Sequence, residues 1–122
     1  MTESETITSA SLREKKCAPC EGGVDPLKSA EVESLMPALH GGWRLDPSAK
    51  RIERRLQFPG YSRTLAFVNA VAWIANVEGH HPLIEFSYGV CTVVWTTNAI
   101  DGLSVNDFIC AAKTDELLVA LE

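Results

Sequence analysis

Residues 62–97 read SRTLAFVNAVAWIANVEGHHPLIEFSYGVCTVVWTT, and within this stretch the spacing of the apolar residues changes from that of a helix to that of strands. Leu65, Phe67, Val68, Val71, Ile74 and Ala75 cover a wide arc of a helix that Ser62 can cap and that runs to about Val77. Gly79 is a suitable C-terminal stop. Pro82 biases His81 toward extended backbone, so the helix must end before it. Leu83 to Tyr88 and Val90 to Thr97 then make a hairpin about Gly89.

Working outward, Arg51 to Phe58 alternates Ile52, Leu56 and Phe58 against Glu53, Arg55 and Gln57, and Asp46-Pro47-Ser48 joins this strand to a shorter one at Trp43 to Leu45. Before them Ser29 can cap a helix whose stripe is Val32, Leu35, Met36 and Leu39. Pro37 shortens or distorts that helix, and Gly41-Gly42 ends it. Ser104 to Leu118 is the last helix. The order α-β-β-α-β-β-α makes this an α+β protein, a four-stranded antiparallel sheet with three helices on one face. The other sheet face then needs a cover, which points to a homo-oligomer. Residues 17–28 form a Gly- and Pro-punctuated arm, and the polar residues 1–16 read as a disordered tail ahead of a single domain over residues 17–122.

The chain has 122 residues and a formal net charge of −5, which argues against a nucleic-acid surface. Arg51, Arg54 and Arg55 cluster locally, but with Glu53 among them they read as a solvated strand face. Asn69 and Asn76 interrupt the one long apolar stretch, so no segment reaches the roughly 18 apolar residues of a membrane span. The first residues lack the apolar centre of a signal peptide. A soluble cytoplasmic protein is expected.

His80-His81-Pro82 is where chemistry is expected, at a helix-to-strand junction that splays the two rings. Histidine both gives and takes a proton near neutral pH, so two in a row are a candidate acid/base pair; the plainer reading is a polar turn. Asp107 has two readings as well, because Ser104-x-x-Asp107 is a capping box. Tyr88 and Trp95 either frame a pocket or simply pack. Cys17-Ala18-Pro19-Cys20 has the spacing of a redox pair and of half a zinc site, yet the setting of neither is present, so no metal is expected. Cys91 and Cys110 read as small buried apolar residues.

The run Glu78-Gly79-His80-His81-Pro82, then Tyr88, Trp95-Thr96-Thr97-Asn98, Ala99-Ile100-Asp101-Gly102-Leu103 and Asn106-Asp107-Phe108-Ile109, resembles the pterin-4a-carbinolamine dehydratases. Lys15 to Val24 looks like the leader of bacterial members, so the resemblance extends from about Lys15 to about Leu118. It implies a small enzyme, without a cofactor, that dehydrates 4a-hydroxytetrahydrobiopterin to the quinonoid dihydropterin and so restores tetrahydrobiopterin for an aromatic amino-acid hydroxylase. On this resemblance His80 and His81 carry proton transfer and substrate orientation, with Pro82 beside them. Thr97, Asn98, Ala99 and Ile100 line the opposite side of the pterin, and Asp107 matches the family carboxylate. The implied assembly is a homodimer or homotetramer.

Two positions depart from the family pattern. Asn98 stands where a third histidine is usual, and Asn76 where an acidic residue is usual. An amide can hydrogen-bond a substrate but cannot shuttle a proton at neutral pH. The alternative is therefore a non-catalytic relative that binds or assembles other proteins, since members of this fold serve as a dimerisation cofactor for a homeodomain transcription factor and as a Rubisco assembly factor.

Overall fold

Alternation along residues 52–57 places Ile52, Arg54 and Leu56 on one face of a strand, and the computed structural model, which describes residues 7–19 and 22–121, buries these three and exposes Glu53, Arg55 and Gln57. This strand, β2 (Ile52–Gln57), lies between β1 (Arg44–Leu45) and β4 (Val90–Trp95), and β4 also pairs with β3 (Leu83–Phe86). All neighbours are antiparallel and the sheet order is β1-β2-β4-β3. The register sets Ile52 beside Trp95, Arg54 beside Val93 and Leu56 beside Cys91. One continuous buried face results, apolar except for Arg54, and it receives the helices. β3 ends before Tyr88 because the hairpin closes earlier than the apolar run does, with the Ser87 N–H donating to the Val90 carbonyl at 2.9 Å.

The long helix α3 (Tyr61–Glu78) buries Thr64, Phe67, Val71 and Ala75. Its N-cap is Gly60 rather than Ser62, and the Thr64 hydroxyl donates to the Gly60 carbonyl at 2.9 Å and the Tyr88 carbonyl at 3.0 Å, tying the helix start to the hairpin. Its C-cap is Gly79, at φ 66°, a left-handed conformation that costs glycine little and other residues more. α2 (Ser29–Leu35) begins one residue earlier than expected, with Lys28 as N-cap. Its N–H donates to Glu31 Oε1 at 2.9 Å, so the carboxylate three residues on, not the Ser29 hydroxyl, closes the turn. Pro37 converts the end of this helix into a 3₁₀ turn, Met36–Ala38. The last helix, α4 (Val105–Leu121), buries an unbroken run from Asn106 to Ala112 between the sheet and the other helices.

Two expectations are corrected. Residues 1–16 were expected to be a disordered tail, but residues 9–13 form a helix, α1 (Ser9–Arg13), that packs on α4. Thr8 caps it reciprocally with Ser11, Leu12 is fully buried, and Arg13 pairs with Glu116 at 2.9 Å. One anchoring leucine in a polar stretch leaves no measurable periodicity, which is why this fourth helix escaped the sequence reading; residues 1–6 lie outside the described residues. The second correction is Arg54, which is no part of a solvated face. Its side chain is 10 % exposed and donates through Nη1 to Asp115 Oδ1 at 2.6 Å. The same carboxylate takes Trp43 Nε1–H at 2.8 Å and the His40 N–H at 3.0 Å. Parity explains this, because Arg54 shares its face with Ile52 and Leu56. No helix among the described residues is long and apolar enough to cross a membrane.

Candidate active site

The left-handed turn at Gly79 swings the chain out of α3, and the His80 N–H still reaches back to the Ala75 carbonyl at 3.2 Å. That bond sets the His80 ring inward, 6 % exposed, where it stacks on Trp95 at a centroid distance of 5.6 Å and an interplanar angle of 11°. Its Nε2 lies 2.6 Å from Oδ1 of Asp107, which is fully buried in the first turn of α4. The second carboxylate oxygen, Oδ2, accepts from the Thr97 hydroxyl at 2.8 Å and the Ser104 N–H at 2.9 Å. Asp107 is thus an acceptor at both oxygens, and His80 Nε2 is the donor to Oδ1. The Thr97 hydroxyl, having given its proton to Asp107, accepts from Ser104 Oγ at 2.8 Å.

Asp107 therefore has two structural jobs. It closes the backbone at the start of α4 as a capping residue, and with its other oxygen it holds the imidazole. Trp95 frames the pair and also packs in the core; its Nε1–H is buried without a hydrogen-bond partner among the described residues. Tyr88 does not share this role, being 71 % exposed beyond the other end of β4.

Beyond Thr97 the chain makes a 3₁₀ turn over Asn98–Ile100, closed by the Thr97 N–H to the Gly102 carbonyl at 2.9 Å and by Asp101 in the left-handed region at φ 50°. Asn98 and Ala99 are exposed, Ile100 and Pro82 half-buried, and His81 exposed. The geometry joins His80, Asp107, Thr97 and Trp95 by direct contact and leaves His81 and Asn98 accessible from solvent. A cavity of about 250 Å³ opens between Thr97, Ile100 and Ser104 on one side and Ala18, Pro19 and Val24 of the leader on the other.

The leader is held by residues adjacent to the pair. Glu78, two positions before His80, accepts the Cys17 N–H at 2.8 Å and the Lys113 ammonium at 2.7 Å. Asn106, next to Asp107, takes both backbone groups of Ala18, accepting its N–H at 3.0 Å and donating to its carbonyl at 2.8 Å. Burial alone would push the Glu78 carboxyl up. The hydrogen bonds from Lys113 and Cys17 and the charges of Lys113 and Lys16 outweigh it and hold the group below its ordinary 4.5. Glu78 was legible as part of the motif block, but its grip on the leader was not, since nothing local in sequence predicts a contact 61 residues away.

Of the cysteines, Cys20 lies outside the described residues. Cys91 and Cys110 are fully buried, and burial pushes the Cys91 thiol up to about 11. Among the described residues no group of three or more His, Cys, Asp or Glu side chains could hold a metal ion.

Comparison with known proteins places this architecture. The family model described as pterin 4 alpha carbinolamine dehydratase matches residues 25–117. A Nitrosomonas eutropha protein, provisionally named a pterin-4-alpha-carbinolamine dehydratase, is 52% identical over 109 residues, 89% of this chain and 95% of the relative. A Legionella pneumophila protein with the same provisional name is 46% identical over 108 residues, covering 88% of this chain and 96% of the relative. Among solved structures, a transcriptional coactivator/pterin dehydratase from Brucella melitensis superimposes with a TM-score of 0.72 at 25% identity, over 76% of this chain and 98% of its own. A pterin dehydratase-like protein identified as a RuBisCO assembly factor in the alpha-carboxysome gives a TM-score of 0.55 at 25% identity, over 64% and 94% of the two chains.

Proposed function

The chain belongs to the pterin-4a-carbinolamine dehydratase family, and on that premise we propose that it dehydrates 4a-hydroxytetrahydrobiopterin to the quinonoid dihydropterin. The observation that carries the reading is the buried His80–Asp107 pair, 2.6 Å apart and stacked against Trp95. The reaction breaks the bond from C4a of the pterin to its hydroxyl while a proton leaves N5. An acid must meet the departing oxygen and a base the nitrogen, and a flat pocket must hold the ring. With Nε2 committed to Asp107, His80 exchanges its proton at Nδ1, in an orientation that Asp107 and Trp95 keep fixed. His81, exposed on the adjacent residue, supplies the second proton-transfer group. Asn98 holds the leaving oxygen through its amide, and Thr97, Ala99, Ile100 and Pro82 border the ring.

A positioned acid or base contributes typically about 10² to 10⁴-fold, or roughly 3 to 5 kcal/mol of barrier. With an amide at position 98 in place of the third histidine, the dehydratase is a slow one. Asn98→His is expected to raise the dehydration rate up to about 10²-fold, and His80→Ala to abolish it. Ultraviolet absorbance, with a hydroxylase generating the substrate, reads both. A wild type that matches buffer, unchanged by Asn98→His, rejects catalysis.

That result would favour the second reading, a non-catalytic binding or assembly protein. Its specific support is the pair of amides at Asn76 and Asn98 together with the likeness to a RuBisCO assembly factor. For either reading we propose a cytoplasmic homodimer or homotetramer, with an aromatic amino-acid hydroxylase as the natural partner of the catalytic one.

A further inference from the structure

Cys17 and Cys110, 93 positions apart in the chain, meet with their Sγ atoms 3.5 Å apart. The approach is prearranged by backbone, because Glu78 grips the Cys17 N–H and Asn106 grips Ala18 at both its backbone groups. Cys17 is half-buried at the surface, whereas Cys110 is fully buried on α4, one turn beyond Asp107. We propose that these two thiols are a redox pair, which a low-molecular-weight disulfide such as oxidised glutathione converts into an intramolecular disulfide that fastens the leader to α4.

The exposures divide the labour. The Cys17 thiolate attacks one sulfur of the oxidant, whose S–S bond breaks, leaving Cys17 in a mixed disulfide and releasing one glutathione thiolate. Cys110 Sγ attacks Cys17 Sγ and its proton passes to the departing glutathione sulfur, so the second glutathione leaves as a thiol. Two protein thiols are oxidised and one disulfide is reduced to two thiols, so the electrons balance. The hydrogen bond with Cys17 is the first of the causes that hold the Cys110 thiol well above its ordinary range, followed by burial and by the charges of Cys17, Glu78 and Asp107. Capping Cys17 as a mixed disulfide removes the first of these and the Cys17 charge, which eases the second attack. The sulfurs must close by about 1.5 Å to reach bonding distance. Cys17 also packs against the edge of the core and its Sγ lies 3.7 Å from the Asn106 carbonyl, so the movement must come from the half-buried leader residue sliding along that edge toward α4.

The test uses the full chain equilibrated in glutathione buffers of graded oxidised-to-reduced ratio, alkylated, digested without reductant and mapped by mass spectrometry. A Cys17–Cys110 cross-linked peptide is expected to increase with oxidised glutathione and to vanish with dithiothreitol. Cys17→Ser and Cys110→Ala should each remove it, and Cys20→Ser should leave it in place. A Cys17–Cys20 disulfide in its stead, or wild-type Cys17 carrying glutathione while Cys110 stays free at every ratio, overturns the proposal. The wild-type map alone decides, so a poorly folded Cys110→Ala variant does not blunt it.

Discussion

Asp107 ties the fold to the candidate site. It is fully buried, and its two oxygens serve His80, the Thr97 hydroxyl and the Ser104 N–H. In Asp107→Asn the amide keeps at most one oxygen for these donors and turns its own N–H groups toward the others. A hydrogen bond to a buried charged group is worth about 1.5–3 kcal/mol, so urea unfolding is expected to show a loss of at least that order. Dehydration should fall by about 10²-fold or more as His80 loses its orientation. Ser104→Ala, which keeps the backbone donor, is expected to cost about 1 kcal/mol, the loss of a single hydrogen bond. A loss in Asp107→Asn no larger than in Ser104→Ala would show that the carboxylate is worth no more than one neutral hydrogen bond there. At this scale the sequence was half legible. The spacing of Ser104 and Asp107 announced a cap and the family resemblance announced a carboxylate, but that one residue does both required the third dimension. Arg54 was misread for a different reason. Its charge points to solvent, whereas the alternation of Ile52 and Leu56 assigns it to the buried face.

The elements that alternation and helical spacing describe well are those that bury a whole stripe, namely α3, α4 and the two central strands. Elements held by a few specific contacts, such as α1 on Leu12 and the leader on Glu78 and Asn106, carry no pattern of their own and appear only once their receiving surface exists. Because the leader's grip runs partly through a carboxylate, it depends on pH. The folded Glu78 carboxyl lies below its ordinary 4.5, so the stability it contributes is fully present above that value and is lost as the pH falls through the lower, folded value. Urea unfolding of the wild type and of Glu78→Gln should therefore differ near pH 7 and converge as the pH drops below about 4.5. The side chain is 4 % exposed, and the gap at neutral pH is expected to be about 1.5–3 kcal/mol, the usual worth of hydrogen bonds to a charged group. A gap independent of pH would assign the effect to packing instead.

For the whole molecule, the apolar strand sequences suggested an open hydrophobic sheet face, but the register distributes them otherwise. Cys91, Val93 and Trp95 point to the helices, and the opposite face carries Glu53, Arg55, Gln57, Glu85 and Thr92 beside Leu83, Val90 and Val94. That face is mixed, and the stronger argument for assembly lies elsewhere. β3 is an edge strand with its outer backbone groups unpaired in the sheet, and Leu83 and Phe86 on it are 53 % and 42 % exposed. On α3, Trp73 is 66 % and Val77 45 % exposed, beside a groove shared with α4. An apolar edge strand is a template for pairing with another chain, and large exposed apolar patches on a small domain mark interaction surfaces. Light scattering at micromolar concentration is therefore expected to give a dimer or tetramer. Leu83→Lys places a charge at the edge and Trp73→Glu one on the helix, so each should lower the assembly state if its surface is used. A drop with only one of them identifies the interface, and a drop with both from tetramer through dimer to monomer shows that the two surfaces act in series. A monomeric wild type would refute assembly outright, and would leave the β3 edge and the α3 patch as surfaces for a different chain, the arrangement that a non-catalytic assembly protein requires.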